Sequence, residues 1–467
     1  MALDVLLCRW WGAVAEVKVR TLYVRATPLR ARDLLHFSCG RRYQGDAVRP
    51  FQAGTPSLTL VSPTMAQALQ RIITHRYGQR QLPVTLVLPD GVRVPLSPRP
   101  VVDIVARTWK GMRALAAPAM GSLARAYVQG DLDFSGSARR MLDIAEAMVG
   151  SVAHGRDSAR ARFKMLLRQR RANQRNIAHH YDVSNAFYRM WLDARMVYSC
   201  AYFHTAEDSL DTAQLQKLDH ICGKLRLAPG ERFLDIGCGW GALLFHAAEV
   251  HGVHATGITL SQNQFEHVQR EIAARGLASL VRVELRDYLD LPDDSQYDKI
   301  ASVGMFEHVG VRRFPAYFGK IERILTPGGL VLNHGITHNS LGADSLGSGI
   351  GEFVDDYVFP GGQLTHVAEV IEGLARQGLE PIDAEALREH YARTLWCWVD
   401  RLEARADEAR HEIGDERYRI WRIYMAGSAH AFDRGWLSLW QILAGKPHAD
   451  GRLPHPLTRE YMYDSTP

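Results

Sequence analysis

The chain of 467 residues is poor in cysteine and has no long apolar run. Its six cysteines, at positions 8, 39, 200, 222, 238 and 397, form no C-x-x-C pair. None has a metal-ligand spacing with the histidines either, so no metal site is assigned. Thiols so few and scattered in a chain this long imply a reduced, cytoplasmic protein rather than a disulfide scaffold. No apolar stretch reaches the ~20 residues needed to cross a bilayer as a helix. The opening MALDVLLCRWWGAVAEVKV lacks a basic n-region, and Asp4 and Arg9 interrupt its apolar part, so no signal peptide is expected. Internal repeats and low-complexity tracts are missing, so repeat architectures are excluded. The net charge of +5 is a mild excess that points to no nucleic-acid partner.

What is present is the composition of a globular protein of two or three domains, 46% hydrophobic and 23% charged. Residues 1–64 mix Arg, Pro and Gly with short apolar pieces and hold no steady period. They are expected to be an irregular extension, or the product of a start assigned too early, with Met65 as the natural beginning. MAQALQRIITHR then opens an amphipathic helix. Residues 65–150 are expected to form a small α+β N-terminal domain. In it LPVTLVLPDGVRVPL alternates about an Asp-Gly turn, as a hairpin does. RALAAPAMGSLARAYVQG reads as helix, and AYVQGDLDFSG as a turn that packs the domain. In residues 154–175 seven arginines and one lysine face a single acid, Asp157. This basic linker, residues 151–175, is either a solvated helix or an anchor for an anionic membrane, each charge contributing about 1 kcal/mol there.

Residues 176–467 carry the main domain. ERFLDIGCGWG, HATGITLS, VRVELRDY, YDKIASVGMF and GLVLNHGIT read as strands. ALLFHAAEVHG and QNQFEHVQREIAARG read as helices ended by Gly252 and Gly276. This alternation predicts an α/β fold with a parallel sheet covered on both faces, turning mainly helical after residue 340.

The sharpest motif is Leu234-Asp235-Ile236-Gly237-Cys238-Gly239-Trp240-Gly241, a strand running into a glycine turn and then a helix. Glycines there let a ligand approach the backbone closely. A dinucleotide site favours G-x-G-x-x-G with a phosphate on the helix N-terminus. Asp235 would repel a pyrophosphate but suits a cationic amino-acid ligand, so S-adenosylmethionine is favoured over NAD. At the next strand end Thr259, Ser261 and Gln264 offer hydroxyl and amide groups to a ribose, while Ser261 equally suits a helix N-cap. Asp287 and Tyr288 end the third strand, placed for an adenine; Asp287 also suits a cap.

The chain resembles the cyclopropane-fatty-acyl-phospholipid synthase family, including the mycolic-acid cyclopropane synthases. The resemblance is carried by Tyr181-Asp182-Val183-Ser184-Asn185-Ala186-Phe187-Tyr188, by Tyr198-Ser199-Cys200-Ala201-Tyr202-Phe203, and by the glycine motif. GITLSQNQ (257–264), VGMFEHVG (303–310), His334-Gly335-Ile336 and Tyr391-Ala392-Arg393-Thr394-Leu395 complete it. It implies a Rossmann-like class I methyltransferase sheet with added helices. It also implies transfer of a methylene group from S-adenosylmethionine to the cis double bond of an unsaturated phospholipid acyl chain through a carbocation, with bound bicarbonate as base. By position it assigns Cys200, Glu307, His334, Ile336 and Tyr391 to the bicarbonate, Cys200 and Ile336 through backbone groups. Tyr198, Ser199 and Trp240 would join the glycines at the cofactor. It further implies a homodimer and a cytoplasmic protein associated peripherally with the membrane.

Each residue also has an ordinary reading. His334 alone suits a satisfied core residue, Glu307 a first-turn acid on the helix FEHVG, and Tyr391 a packing ring. His308, His179 and His180 read as structural. Trp396, Trp398, Trp421, Tyr424, Trp436 and Trp440 read mostly as helical core, some lining an acyl tunnel. Glu307 beside an anion requires a shared proton or a pKa raised by burial. Ser428 stands where many members have a cysteine, which a route without a covalent enzyme intermediate tolerates. His430 replaces a glycine nearby and is expected to narrow the lipid tunnel. Two other readings remain: a sibling enzyme giving a methyl-branched or otherwise modified chain, and a member that binds without turnover.

Overall fold

A computed structural model describes residues 63–78, 81–150, 183–339, 353, 357 and 364–463. The expected N-terminal extension, the basic stretch 154–175, His179, His180, Tyr181 and Asp182 lie outside the described residues.

The first described elements are α1 (Pro63–Gly78), β1 (Val84–Val87), β2 (Arg93–Pro95), β3 (Val102–Ala106), α2 (Trp109–Ala116), α3 (Met120–Val128), β4 (Leu132–Phe134) and α4 (Ala138–Val149). β1 and β2 are the expected hairpin, pairing Val87 with Arg93 across the Asp-Gly turn. The sheet runs β2-β1-β3-β4, so LDF of the expected turn also adds a strand. Helices α1–α4 cover one apolar face, with Ile73, Tyr77, Met112 and Met148 buried against Val84 and Ile104.

The main sheet collects β5 (Arg232–Ile236), β6 (His254–Thr259), β7 (Val281–Leu285), β8 (Tyr297–Val303), β9 (Leu325–His338), β10 (Glu380–Ala386) and β11 (Leu437–Gly445). Its order is β10-β11-β9-β8-β5-β6-β7. The described helices around it are α5 (Asn185–Arg189), α6 (Leu210–Leu225), α7 (Ala242–His251), α8 (Gln262–Arg275), α9 (Phe306–Val309), α10 (Phe314–Ile324), α11 (Val367–Arg376), α12 (Arg388–Ala404), α13 (Ala406–Ile413) and α14 (Asp415–Asp433). Helices α7 and α8 end at Gly252 and Gly276, both left-handed caps, as the sequence indicates.

One expectation is corrected. The sheet is not purely parallel, because β11 runs antiparallel to both β9 and β10. The region after residue 340 is mainly helical among the described residues, as expected, but it also supplies β10 and β11. The physical reason is burial. β11 lies between two strands and is covered on both faces, eight of its nine residues being buried, so LSLWQILAG carries no period of two. β10 is an edge strand whose text, EPIDAEA, is rich in residues that equally suit a helix.

Candidate active site

The strand order reverses between β5 and β8, and their carboxyl ends open onto one cleft. Ligands of open α/β sheets bind at such a switch point. The turn after β5 holds Gly237, Gly239 and Gly241 at φ of +80°, +56° and +86°, values that side chains disfavour. The amides of Gly237 and Cys238 donate to the Ile258 carbonyl at 2.9 and 3.0 Å, pinning the turn to β6. A Cβ on Gly237 would come within 2.7 Å of Met305, so this position must stay bare.

The cleft has about 990 Å³ of empty space and is lined by Tyr198, Ser199, Asp235, Gly237, Gly239, Trp240, Thr259, Ser261 and Gln264. Gly241 stands behind this wall as the N-cap of α7. Thr259 donates its hydroxyl to Gln264 Oε1 at 2.8 Å, and Ser261 caps α8. Trp240 Nε1 donates to Asn185 Oδ1 at 3.0 Å, tying the glycine turn to α5. Asp287 and Tyr288 are not brought to the cleft wall. Asp287 caps the short turn Tyr288–Asp290, and Tyr288 packs edge-on against Tyr317 at 5.1 Å.

Two further residues reach this cleft that sequence reasoning left aside. Lys217 on α6 is buried and donates to Ser199 Oγ at 3.0 Å. Burial holds its pKa down at about 8, with Asp193, Cys200 and Asp235 opposing. Burial likewise pushes Asp235 up to about 7, with Lys217 opposing. Asp235 Oδ1 is buried and makes no hydrogen bond to a described residue. A lysine inside a helix carries no sequence signal that it points inward. His308 also lines the cleft, kept neutral by burial, which lowers its pKa to about 4.

Beyond this cleft the five residues assigned by resemblance come from four separate segments. Glu307, in the first turn of α9, accepts the Ile336 amide on Oε1 at 2.7 Å, while its Oε2 is buried with no hydrogen-bond partner among the described residues. Burial pushes its carboxyl up to about 7. Ile336 thus uses its amide to position Glu307. Gly335 makes the approach possible, since a Cβ there would lie 2.1 Å from the Phe306 ring and 2.9 Å from Glu307 Oε1. His334 is buried on β9 beside the end of β8, its carbonyl accepting the Gly304 amide at 2.8 Å. Burial first, then Lys217, Lys224 and His220, hold its pKa well below the ordinary range, so the ring is neutral. Both ring nitrogens lack a hydrogen-bond partner among the described residues.

Gln441 on β11 is the register partner of both His334 and Glu385, so the three side chains share one sheet face. Glu385 receives His220 Nε2 at 2.7 Å and Lys224 Nζ at 2.5 Å. Burial opposes its charge, but these partners outweigh it and hold the carboxyl at about 2. Cys200 is wholly buried, donates its thiol to the Ala201 carbonyl at 3.2 Å, and is held protonated by burial. Tyr391 on α12 packs against Phe432 at 4.8 Å.

Aromatic rings wall this region. Tyr198 lies 5.3 Å from Trp398, 5.4 Å from Trp191 and 5.7 Å from Tyr188. Tyr424, read from sequence as core, hydrogen-bonds with Tyr198 and Ser428 and senses the charge of Glu307; burial raises its pKa to about 12. Ser428 therefore supplies a hydroxyl to this cluster. Elsewhere Cys222, His246 and His251 bring donor atoms within 4.8 Å of one another, a grouping not visible in their spacing; His246 Nε2 sits 2.7 Å from Asp219.

Glu307 makes the apo-protein's stability depend on pH. Its folded pKa, about 7, exceeds the ordinary carboxyl value of 4.5. Below the ordinary value the group is neutral in both states and costs nothing. As pH rises towards 7 the unfolded chain ionises first, and stability falls by about 3 kcal/mol in all. Glu307→Gln is therefore expected to stabilise the protein at pH near 8 and to be neutral near 4.5, read by urea denaturation. An equal difference at both pH values would contradict a buried, uncharged Glu307.

The sequence description "Mycolic acid cyclopropane synthetase" matches residues 168–442. The chain belongs to the mycolic acid cyclopropane synthetase family. It is 42% identical, over 82% of its length and 96% of the relative's, to a Pseudomonas putida protein described as "Probable fatty acid methyltransferase". It is 35% identical to cyclopropane mycolic acid synthase 1 of Mycobacterium tuberculosis, over 58% of this chain and 96% of that one. The crystal structure of mycolic acid cyclopropane synthase CmaA1 complexed with SAH and CTAB superposes with a TM-score of 0.55 at 35% identity, covering 59% of this chain and 98% of the other. This family member is thus a lipid-modifying, S-adenosylmethionine-dependent methyltransferase. Among its described residues no helix is long and apolar enough to cross a membrane.

Proposed function

We propose that the protein transfers a methylene group from S-adenosylmethionine to the cis double bond of an unsaturated phospholipid acyl chain. One observation carries the reading. Next to a cofactor-sized cleft, Glu307 and the neutral His334 leave buried polar atoms unpartnered inside an aromatic enclosure. Orphaned donors and acceptors at such depth are costly unless a ligand meets them.

The residues fit a small anion. A carboxyl with a pKa near 7 is largely protonated just below neutrality and donates to an anion rather than repelling it. Neutral His334 has one N–H to give, and the Tyr391 hydroxyl a second donor. Bicarbonate, when bound there, supplies the base that takes a proton from the transferred methyl. Asp235 orients the amino-acid part of the donor. The alkene carbon forms a bond to the sulfonium methyl as the sulfur–carbon bond breaks and S-adenosylhomocysteine leaves. The rings of Tyr198, Trp398 and Trp421, packed in one apolar cluster, exclude water and offer π electrons to a cation. Loss of the methyl proton leaves the electron pair that closes the ring. The buried, protonated Cys200 offers no thiolate to trap the cation.

The name of the Pseudomonas relative, a probable fatty acid methyltransferase, favours a second reading, a lipid C-methyltransferase giving a methyl-branched or otherwise modified acyl chain. Lipids from cells expressing the protein separate the two. A cyclopropane product adds one methylene mass and shows ring protons upfield of all other aliphatic signals. A branch-methyl signal without those ring protons would replace the first reading by the second. The enzyme would meet its lipid at the membrane surface, as a homodimer.

A further inference from the structure

A second cavity lies between the α/β module of residues 63–150 and α14. It is a largely apolar recess that opens to solvent. Its walls are hydrocarbon, with Ile104, Leu115, Met120, Leu142 and Met148 from the module and Ile423 from α14. Polar groups stand at its border. His430 is 3.2 Å from Glu146, which also takes Arg434 at 2.9 Å. Walls so apolar offer water few partners, so hydrocarbon is the ligand they suit.

The cavity is coupled to the reacting centre through α14. Ile423, Gly427 and His430 form one stripe of that helix and line the cavity. Tyr424, one residue further round, hydrogen-bonds with Tyr198 and Ser428 and lies within electrostatic reach of Glu307. A single apolar cluster runs from Tyr391, Trp398 and Trp421 to Met120, Tyr127 and Leu142 of the module. The module is held firmly. Arg419 reaches Asp133 at 3.1 Å, and Arg422 donates to the Gly136 carbonyl at 2.8 Å and the Tyr127 hydroxyl at 3.1 Å. The module also lies outside residues 168–442, so this wall is an addition to the family's common catalytic part.

We propose that this cavity takes the methyl end of the acyl chain being alkylated, making the N-terminal module a gauge of chain length. The proposal rests on the lipid-modifying reading above. Its test uses the full chain with phosphatidylglycerol vesicles whose lipid carries a terminal diazirine, either on the unsaturated chain or on its saturated sister. Irradiation is expected to label peptides containing Met120, Leu142 or Met148 from the unsaturated chain. Labelling confined to residues 183–463, or of the module from the sister chain alone, would overturn it. Ala124→Phe and Ala145→Phe each place a ring in the cavity from a half-buried position. Each is expected to lower turnover of oleoyl relative to myristoleoyl lipid by on the order of tenfold. Retained turnover of the shorter lipid shows that the variants fold, and an unchanged ratio in both counts against the proposal. Crosslinking needs no turnover. An enzyme that alkylates neither lipid would defeat the proposed reaction, while the label alone decides the cavity.

Discussion

Glu307→Gln is expected to lower kcat by about 10²- to 10⁴-fold, the range for loss of a positioned acid or base, while S-adenosylmethionine binds as before. The substitution keeps the Oε1 that accepts the Ile336 amide at 2.7 Å, so the local backbone stays in place. What it removes is the ionisable proton on the buried side. His334→Ala and Tyr391→Phe should behave in the same way, since neither side chain lines the cofactor cleft. Isothermal titration with S-adenosylhomocysteine, run beside single-turnover kinetics, separates the two effects. Parallel loss of cofactor affinity in all three variants would overturn their assignment to the reacting centre. Added bicarbonate offers a further check, since it should stimulate wild type and leave Glu307→Gln nearly unaffected.

Asp235→Ala is expected to act on the other half of the site. Removing one member of a buried, charge-assisted pair costs about 2–5 kcal/mol, a loss of roughly 30-fold to several-thousand-fold in affinity. The measurement is the dissociation constant for S-adenosylhomocysteine, with folding checked by thermal melting. Asp235 has a pKa near 7 without ligand, so the apo-protein should not lose stability on its removal at pH 8. Near-normal affinity in Asp235→Ala would remove the carboxylate from the cofactor's amino group. The glycine turn would then serve only to shape the strand–helix junction.

The two variants divide the site as the sequence divides it. LDIGCGWG announces itself because every part of the cofactor turn is local. A strand, three glycines with positive φ and a helix start all lie within eight residues, and each leaves a mark in the text. Thr259, Ser261 and Gln264 follow for the same reason, being the next strand end. Asp287 and Tyr288 occupy the corresponding position one strand further on, but local capping and packing take both side chains away from the cleft wall. Position along the sheet was legible there; side-chain direction was not.

The proposed reacting centre was legible only by resemblance. Nothing in the spacing of Cys200, Glu307, His334 and Tyr391 links them, because they lie on separate segments that only the fold assembles. Lys217, Gln441 and the hydrogen bonding of Tyr424 with Tyr198 and Ser428 were missed on the same ground. Each reads as an ordinary helix or strand residue until the register of β11 and the docking of α14 point it inward.

The sequence by itself determined the α/β alternation, the glycine turn with its acid, the helix ends at Gly252 and Gly276, and the family. All of these are written in short-range patterns of glycine, charge and hydrophobic period. Only the tertiary structure decided that β11 reverses and enters the sheet, that burial sets Glu307 and Asp235 near neutrality, and that the module closes a hydrocarbon cavity against α14. Those properties depend on which groups lose contact with water, and that follows from packing between segments far apart in the chain.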